Sequence, residues 1–471
     1  MEGFATLQAG LGRALAAPAR GWPHVAVILP SLSFGEAVIA HYGHRLPALE
    51  HRALAAFWRL AREPLAEVVF VSTWEPSEAV MDLLGRLVPD GPGLRARFHP
   101  VAVGEGGTRP LAWKLLERPD LLARIRGLIG GRPALLEPWT VTEAEARLAL
   151  ALGVPVDGAA PDLWPLGFKG AGRRLLREAG VPVLPGAEGI ADPEGALEAC
   201  RDLAARGVRA AVVKLDDGAA GEGNRIVDLC DPEGLEPRLL SFGADFWDEM
   251  RTGGVVEARL EGEDFASPSV QIDLRPGGRV DVAATHEQVL GGEEGQVYLG
   301  CRFPAEPAHA PALGRMGLAV GEVLARRGAL GRAAVDFVSV RRADGGRALY
   351  GIEINLRRGG TTHTLETLRG LAPGAYDAEA GIWRARAGGT RVYAASDNLE
   401  NPGWVGLGES EAVRRLGAAG LLFDGCEGVA PLALAGLGID GRLSAVAIAT
   451  RRERAEALLA AVPRALGAAS G

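Results

Sequence analysis

The sequence predicts an α/β protein: an N-terminal parallel-sheet domain, a two-part central region and a small α+β C-terminal module. Three observations predict it. Short, continuously apolar runs alternate with amphipathic helical patterns over the first 160 or so residues, as βαβ units do. A Pro-rich stretch over 158–165 then punctuates the chain. Beyond it, strands follow one another as hairpins around Gly-rich turns, most clearly over 331–363. The divisions read from this are 1–160, 161–260, 261–372 and 373–471.

A short amphipathic helix over 4–17 comes first; Glu2 and Arg13 argue against a signal peptide. The run 25–30 reads as a buried parallel strand, followed by a helix over 46–62 and a strand at 67–72. A helix over 77–87, a strand near 96–103, a helix through 120–129 and a strand at 134–137 continue the alternation. Thr142 with Glu145 three residues on forms a capping box for a helix ending at Gly153. In the central region a helix over 169–179 and another over 193–206 precede a strand at 210–215, a Gly-rich turn over 216–224 and a strand at 225–228. Strands follow at 255–260, 266–274, 279–289 and 296–301, then a long helix over 311–326 and the hairpin. After Gly370 the pattern loosens to a loop over 396–408, a helix over 409–416, two or three strands within 423–449 and a terminal helix over 453–466.

A formal net charge of −8 without long Lys/Arg runs disfavours nucleic acid as the main partner. The four cysteines stand far apart without C-x-x-C spacing, so a reducing, cytoplasmic compartment is expected. No apolar run reaches the ~20 residues of a membrane span.

Chemistry concentrates in three places. In the 331–363 hairpin, residues two apart share a face, so Glu353, Asn355 and Arg357 project together, and Asp336 joins them if the register allows. Two carboxylates and an amide oxygen suit Mg²⁺; the competing reading is a solvated polar edge, which accounts poorly for Asp336 between Val335 and Phe337. Next, Gly218, Gly221 and Gly223 let backbone N–H groups approach a phosphate. Their turn joins two strands and so matches neither the Rossmann fingerprint nor the P-loop. A mobile flap over a triphosphate and a plain surface turn both remain open. Lys214, among Val212, Val213 and Leu215, favours the flap, since a phosphate is a natural partner for a lysine in an apolar strand. Lys169 offers a second cation, or is a solvated helix-start lysine. Finally, the strand 255–260 running into a polar segment makes an adenine wall, with Leu260 at its end and a carboxylate for the ribose; an exposed acidic turn is the alternative.

In this order and spacing, the chain resembles the ATP-grasp superfamily of carboxylate–amine ligases. The matching residues are Lys169, the Gly180-Val-Pro segment, Lys214 with its flap, Glu257 to Phe265, Asp336, and the Glu353-Ile-Asn-Leu-Arg357 strand. More narrowly, Leu29-Pro-Ser-Leu-Ser, Thr285-His-Glu-Gln-Val-Leu, Tyr298-Leu-Gly-Cys-Arg-Phe-Pro-Ala, Ser396-Asp-Asn-Leu and Phe423-Asp-Gly are similar to peptide ligases of pheganomycin-type biosynthesis. The resemblance implies a pre-ATP-grasp domain followed by an ATP-grasp fold, with ATP and Mg²⁺ as cofactors. It implies that Lys169 and Lys214 bind phosphates, Glu257 meets the adenine amino group and Asp264 the ribose. Asp336, Glu353 and Asn355 would hold Mg²⁺, Arg357 would face an acyl phosphate, and His286 and Arg302 would line the substrate pocket. The substrates would be an amino acid or other carboxylate plus an amine or peptide, and a homodimer fits the resemblance. One departure is Ala258, where many relatives carry a lysine. The rival expectations are an ATP-grasp small-molecule kinase and a catalytically silent nucleotide-binding module.

Overall fold

A computed structural model describes residues 3–33, 39, 42–217, 223–260, 264–291, 297–342 and 345–467. The first sheet is wholly parallel, with β1 (His24–Leu29), β2 (Ala66–Ser72), β3 (Phe98–Ala102) and β4 (Ala134–Pro138) in the order β3-β2-β1-β4. All six residues of β1 are buried, which is why its sequence is continuously apolar rather than alternating. Helix α1 (Glu143–Leu152) starts on the expected capping box: Thr142 Oγ1 accepts from the Ala144 N–H, and Glu145 accepts from the Thr142 N–H at 2.8 Å. Gly153 ends it in the left-handed region, at φ 71°.

Helix α2 (Lys169–Glu178) leads into a small antiparallel sheet of β5 (Gly186–Glu188), β6 (Ala210–Leu215), β7 (Asn224–Asp228) and β8 (Gly254–Ala258), ordered β5-β8-β6-β7. Helix α3 (Pro193–Ala205) packs on it through Ala196, Cys200 and Leu203, forming a separate core with Val213, Val227 and Val256.

The third sheet has ten strands. β9 (Pro268–Arg275), β10 (Arg279–Gly291), β11 (Val297–Phe303), β12 (Gly331–Arg341) and β13 (Arg347–Asn355) run in the order β13-β12-β9-β10-β11. Helix α4 (Ala310–Arg326) covers one face, its Gly317 and Gly321 admitting Val270 and Val280 to places a Cβ would fill. Helix α5 (Gly360–Leu371) follows the hairpin. The sheet then continues from β11 into β16 (Thr390–Glu400), flanked by β14 (Gly374–Asp377) with β15 (Ile382–Ala385) and by β17 (Gly428–Leu432) with β18 (Arg442–Ala449). Helix α6 (Arg452–Leu466) closes the chain against it.

Besides the unexpected strands β5, β14 and β15, two expected elements take a different form. The helical stretch over 46–62 is broken into Leu46–Glu50, a 3₁₀ segment His51–Trp58 and Arg59–Arg62. The expected loop over 396–408 instead begins inside β16, whose Ser396 and Leu399 pair with β18 across a register shift. That irregularity, with polar Ser-Asp-Asn residues at it, hides the strand's alternation.

Candidate active site

The hairpin register answers the question the sequence left open. Asp336 on β12 lies directly opposite Glu353 on β13, and Ala334 opposite Asn355, with a bulge immediately after Asp336. Asp336, Glu353 and Asn355 therefore share one face. Asn355 Nδ2 donates to Asp336 Oδ2 at 2.8 Å, and Gln288 Nε2, from β10, donates to Oδ1 at 2.7 Å. Burial, with Glu353 as a like-charged neighbour, pushes the Asp336 carboxyl up to about 7 against the pull of Arg357. Burial likewise lowers the pKa of Arg357, while Glu353 and Asp336 oppose the shift. The face is thus a tight cluster of hard oxygens around which positive charge is in demand.

Lys169, the first residue of α2, is buried; its backbone N–H donates to the Asp216 carbonyl at 3.0 Å. Burial lowers its pKa, and Glu353 is the first of the carboxylates that resist the change. Lys169 therefore stands where the small sheet meets the hairpin. Lys214 on β6 faces Glu257 on β8, because Val212 is Glu257's register partner and residue 214 lies on the same face. Its ammonium forms an ion pair with Glu257 Oε1, and Arg173 Nη1 takes Oε2 at 2.5 Å. Glu257 is 2% exposed and its carboxylate balances these two cations. It is occupied there rather than presented to a purine amino group. Gly223 has φ 80° and Leu215 against it, as a tight turn requires, whereas Gly218 and Gly221 lie outside the described residues. Leu260 follows the end of β8. Asp264 is exposed, at φ 51°, with its carboxylate on Arg341 Nε at 2.5 Å, so a ribose contact would have to displace that arginine.

Two expected substrate residues stand elsewhere. His286 is fully buried beneath the sheet, its Nε2 2.6 Å from Tyr393 Oη and its ring 5.5 Å from that of Phe303. Burial pushes it down to about 3, as suits a packed neutral imidazole. Arg302 is half-exposed on an ion pair with Glu456 at 2.5 Å. Position 286 alternates with 285 and 287 along β10, and its inward face is core.

A cavity of about 380 Å³ opens on the hairpin face, within the range that holds a small ligand. Asp336, Glu353, Asn355 and Arg357 line it, and so do Arg52, Trp139, Tyr298 and Asp397, which come from other elements. Sequence reasoning missed the second group. Gln288 and Asp397 fall within segments that carried the resemblance, but nothing local marked either as facing the site. β4 and the residues that follow it fix the segment after β13: the Arg358 N–H donates to the Trp139 carbonyl at 3.1 Å, and its guanidinium meets Asp157 at 2.9 Å and Glu137 at 3.3 Å.

Over 417 residues, 84% of each chain, the sequence is 32% identical to L-propargylglycine–L-glutamate ligase of Streptantibioticus cattleyicolor. The chain belongs to the ATP-grasp carboxylate–amine ligases. A family model described as IQCH-like, ATP-grasp matches residues 244–375 of the ligase, which include the hairpin. Its fold is similar to the biotin carboxylase domain of Hydrogenobacter thermophilus 2-oxoglutarate carboxylase, a structure that contains MgADP and bicarbonate. That similarity has a TM-score of 0.55 at 16% identity, covering 94% of this chain and 93% of the other. N5-carboxyaminoimidazole ribonucleotide synthetase of Thermus thermophilus is similar at TM-score 0.52 and 16% identity, over 95% and 99% of the two chains. Among the described residues, no helix of the ligase is long and apolar enough to cross a membrane.

Proposed function

We propose that the ligase joins an amino-acid-type carboxylate to the amine of an amino acid or peptide through an acyl phosphate, releasing ADP and phosphate. The observation that carries this reading is the convergence of Asp336, Glu353, Asn355 and Arg357 on a cavity that fits a small ligand. The two substrates named for the relative are both amino acids, which supports the substrate class.

The donor set fits Mg²⁺. Two carboxylates in direct register repel each other; burial first, and Glu353 after it, raise the Asp336 pKa. A divalent cation that prefers oxygen relieves it. Asn355 spends its amide N–H on Asp336, which leaves Oδ1 as its acceptor. Bound there with ATP, the ion would neutralise charge on the transferred phosphoryl group.

The remaining work falls to the chain's own residues. Lys169 and Lys214 would hold the phosphates, Lys214 exchanging part of its hold on Glu257 for them. The end of β8 and Leu260 would offer backbone groups to the purine, with Asp264 toward the ribose. The Gly218–Gly223 turn would cover the phosphates. A substrate carboxylate oxygen attacks the γ-phosphorus, and ADP leaves. Arg357, a half-buried cation beside this reaction, would stabilise the acyl phosphate and the oxyanion formed on it. The amine nitrogen then attacks the acyl carbon, phosphate leaves and the nitrogen loses its proton.

Incubation with ATP, Mg²⁺ and pooled L-amino acids, followed by mass spectrometry and nucleotide analysis, tests the reading. New amide masses with ADP and phosphate are expected. AMP with pyrophosphate, or a stable phosphorylated amino acid without amide, would replace it with adenylation or kinase chemistry.

A further inference from the structure

We infer that Arg52 is the clamp for the free α-carboxylate of the amine-donating amino acid, an inference that rests on the ligase reading above. The charged lining of the cavity is Arg45, Arg52, Arg357 and Arg442 with Asp336, Glu353, Asp397 and Asp440, four charges of each sign. All four arginines have a carboxylate partner, Arg52 included, through Asp397 at 2.9 Å; what separates them is how the guanidinium is held. Arg45 Nε sits on Asp440 at 2.7 Å. Arg442 spans Asp440 at 3.4 Å, Asn398 Oδ1 at 3.1 Å and Glu400. Arg357 stands beside Asp336 and Glu353.

Arg52 differs. Its guanidinium lies over the Trp139 ring at 4.9 Å. Nε donates to the Leu49 carbonyl at 3.2 Å and Nη1 to Asp397 Oδ2 at 2.9 Å. Those bonds use two of five donors, leaving Nη2 uncommitted among the described residues. The side chain is 11% exposed, so the remaining N–H groups meet the cavity rather than bulk water. A planar cation held on a ring, with spare donors, matches the geometry of a carboxylate. Asp397 is a positioning residue: burial pushes its pKa up, but His363, with Nε2 2.9 Å from Oδ1, and Arg52 hold it ionised.

The place of Arg52 decides which substrate it reads. The acyl phosphate forms beside Asp336 and Glu353, so the carboxylate donor occupies that part of the cavity. Arg52 comes from the 3₁₀ segment His51–Trp58 and is held by β16 and the residue after β4, elements that carry none of the hairpin's oxygen donors. The amine donor, which arrives against the acyl carbon, is left that wall. A carboxylate on the carbon bearing the amine is the group it presents there.

The test offers the wild-type protein MgATP with each proteinogenic L-amino acid, and with its primary amide, as amine donor against the one acid identified from the pooled incubation, each amide product being counted by its own mass. The best donor should exceed its own amide by at least ~30-fold in kcat/KM, as expected when a site built to bond a group meets an analogue lacking it. Arg52→Gln should reduce that ratio to about 3-fold or less through the KM of the carboxylate form, and Arg52→Lys, which keeps the charge but not the fork, should fall between. The KM for ATP should not move in either variant. Amides used as well as free amino acids by the wild type, or a ratio that survives in both variants, overturns the inference and leaves the ligase reading standing. A wild type that makes no amide with any donor takes down both.

Discussion

Replacing Glu257 by Gln probes how the small antiparallel sheet balances its buried charge. The Glu257 side chain is 3% exposed and stands between Lys214 and Arg173. After the change Arg173 keeps Glu188, at 2.7 Å, but Lys214 loses its carboxylate. Removing one partner of a buried pair costs ~3–5 kcal/mol. The retained Glu188 and the hydrogen-bonding capacity of Gln argue for the low end, about 3 kcal/mol. Because a chain with several cores need not unfold in one transition, the readout is amide hydrogen exchange in β6 and β8. A loss of that size speeds exchange there by roughly 10²-fold. Nucleotide phosphates would supply the missing negative charge, so MgATP at about 100 times its Kd should restore ~2.7 kcal/mol if it binds only the folded form. The double variant Glu257→Gln/Lys214→Met should exchange more slowly than Glu257→Gln alone, since the stranded ammonium is gone. Unchanged protection in Glu257→Gln, or a coupling between the two changes below ~0.5 kcal/mol, would mean that Glu257 does not hold the Lys214 charge.

Glu353→Gln with Asn355→Ala should lower kcat by at least ~10² with unchanged far-UV circular dichroism, and near-normal rates at ordinary Mg²⁺ would remove the metal assignment. His286, pushed down to about 3 in the fold, ordinarily titrates near ~6.5. The unfolded chain therefore binds the proton first as pH falls, so this group's contribution is complete above ~6.5 and is lost toward 3, about 2 kcal/mol of it by pH 5. Amide-exchange protection in β10 at pH 7 and 5, corrected for the intrinsic rate at each pH, measures that slope, and His286→Gln should flatten it. Gly360→Ala would place a Cβ 2.5 Å from the Tyr298 ring, and both residues line the cavity. It should cost ~1–3 kcal/mol and raise the substrate KM with little change in the KM for ATP.

Periodicity served the elements whose environment is uniform. β1 is buried on both faces and reads as an unbroken apolar run, and α1 carries its start signal in Thr142 and Glu145. β14 and β15 are four residues each, and β16 carries Ser396, Asp397 and Asn398 at its irregularity, so no alternation announces them. In the site, Asp336, Glu353 and Asn355 were legible because one hairpin holds them and local register brings them together. Arg52 and Asp397 meet across 345 positions, and Arg358 meets Asp157 across 201. Tertiary packing alone makes those pairs. Glu257 shows a different limit: its position on β8 was legible, but the two cations that claim it arrive from β6 and α2.

On this mechanism a carboxylate is phosphorylated in the cavity before any amine attacks. Hydroxylamine, a small strong nucleophile, intercepts an acyl phosphate as a hydroxamate and leaves a phosphate ester untouched. With ATP, Mg²⁺ and L-amino acids as acids, the wild-type protein should form hydroxamate and ADP together, and Arg357→Ala should suppress both. ADP accumulating with a stable phosphorylated product and no hydroxamate, or hydroxamate accompanied by AMP, would contradict the account.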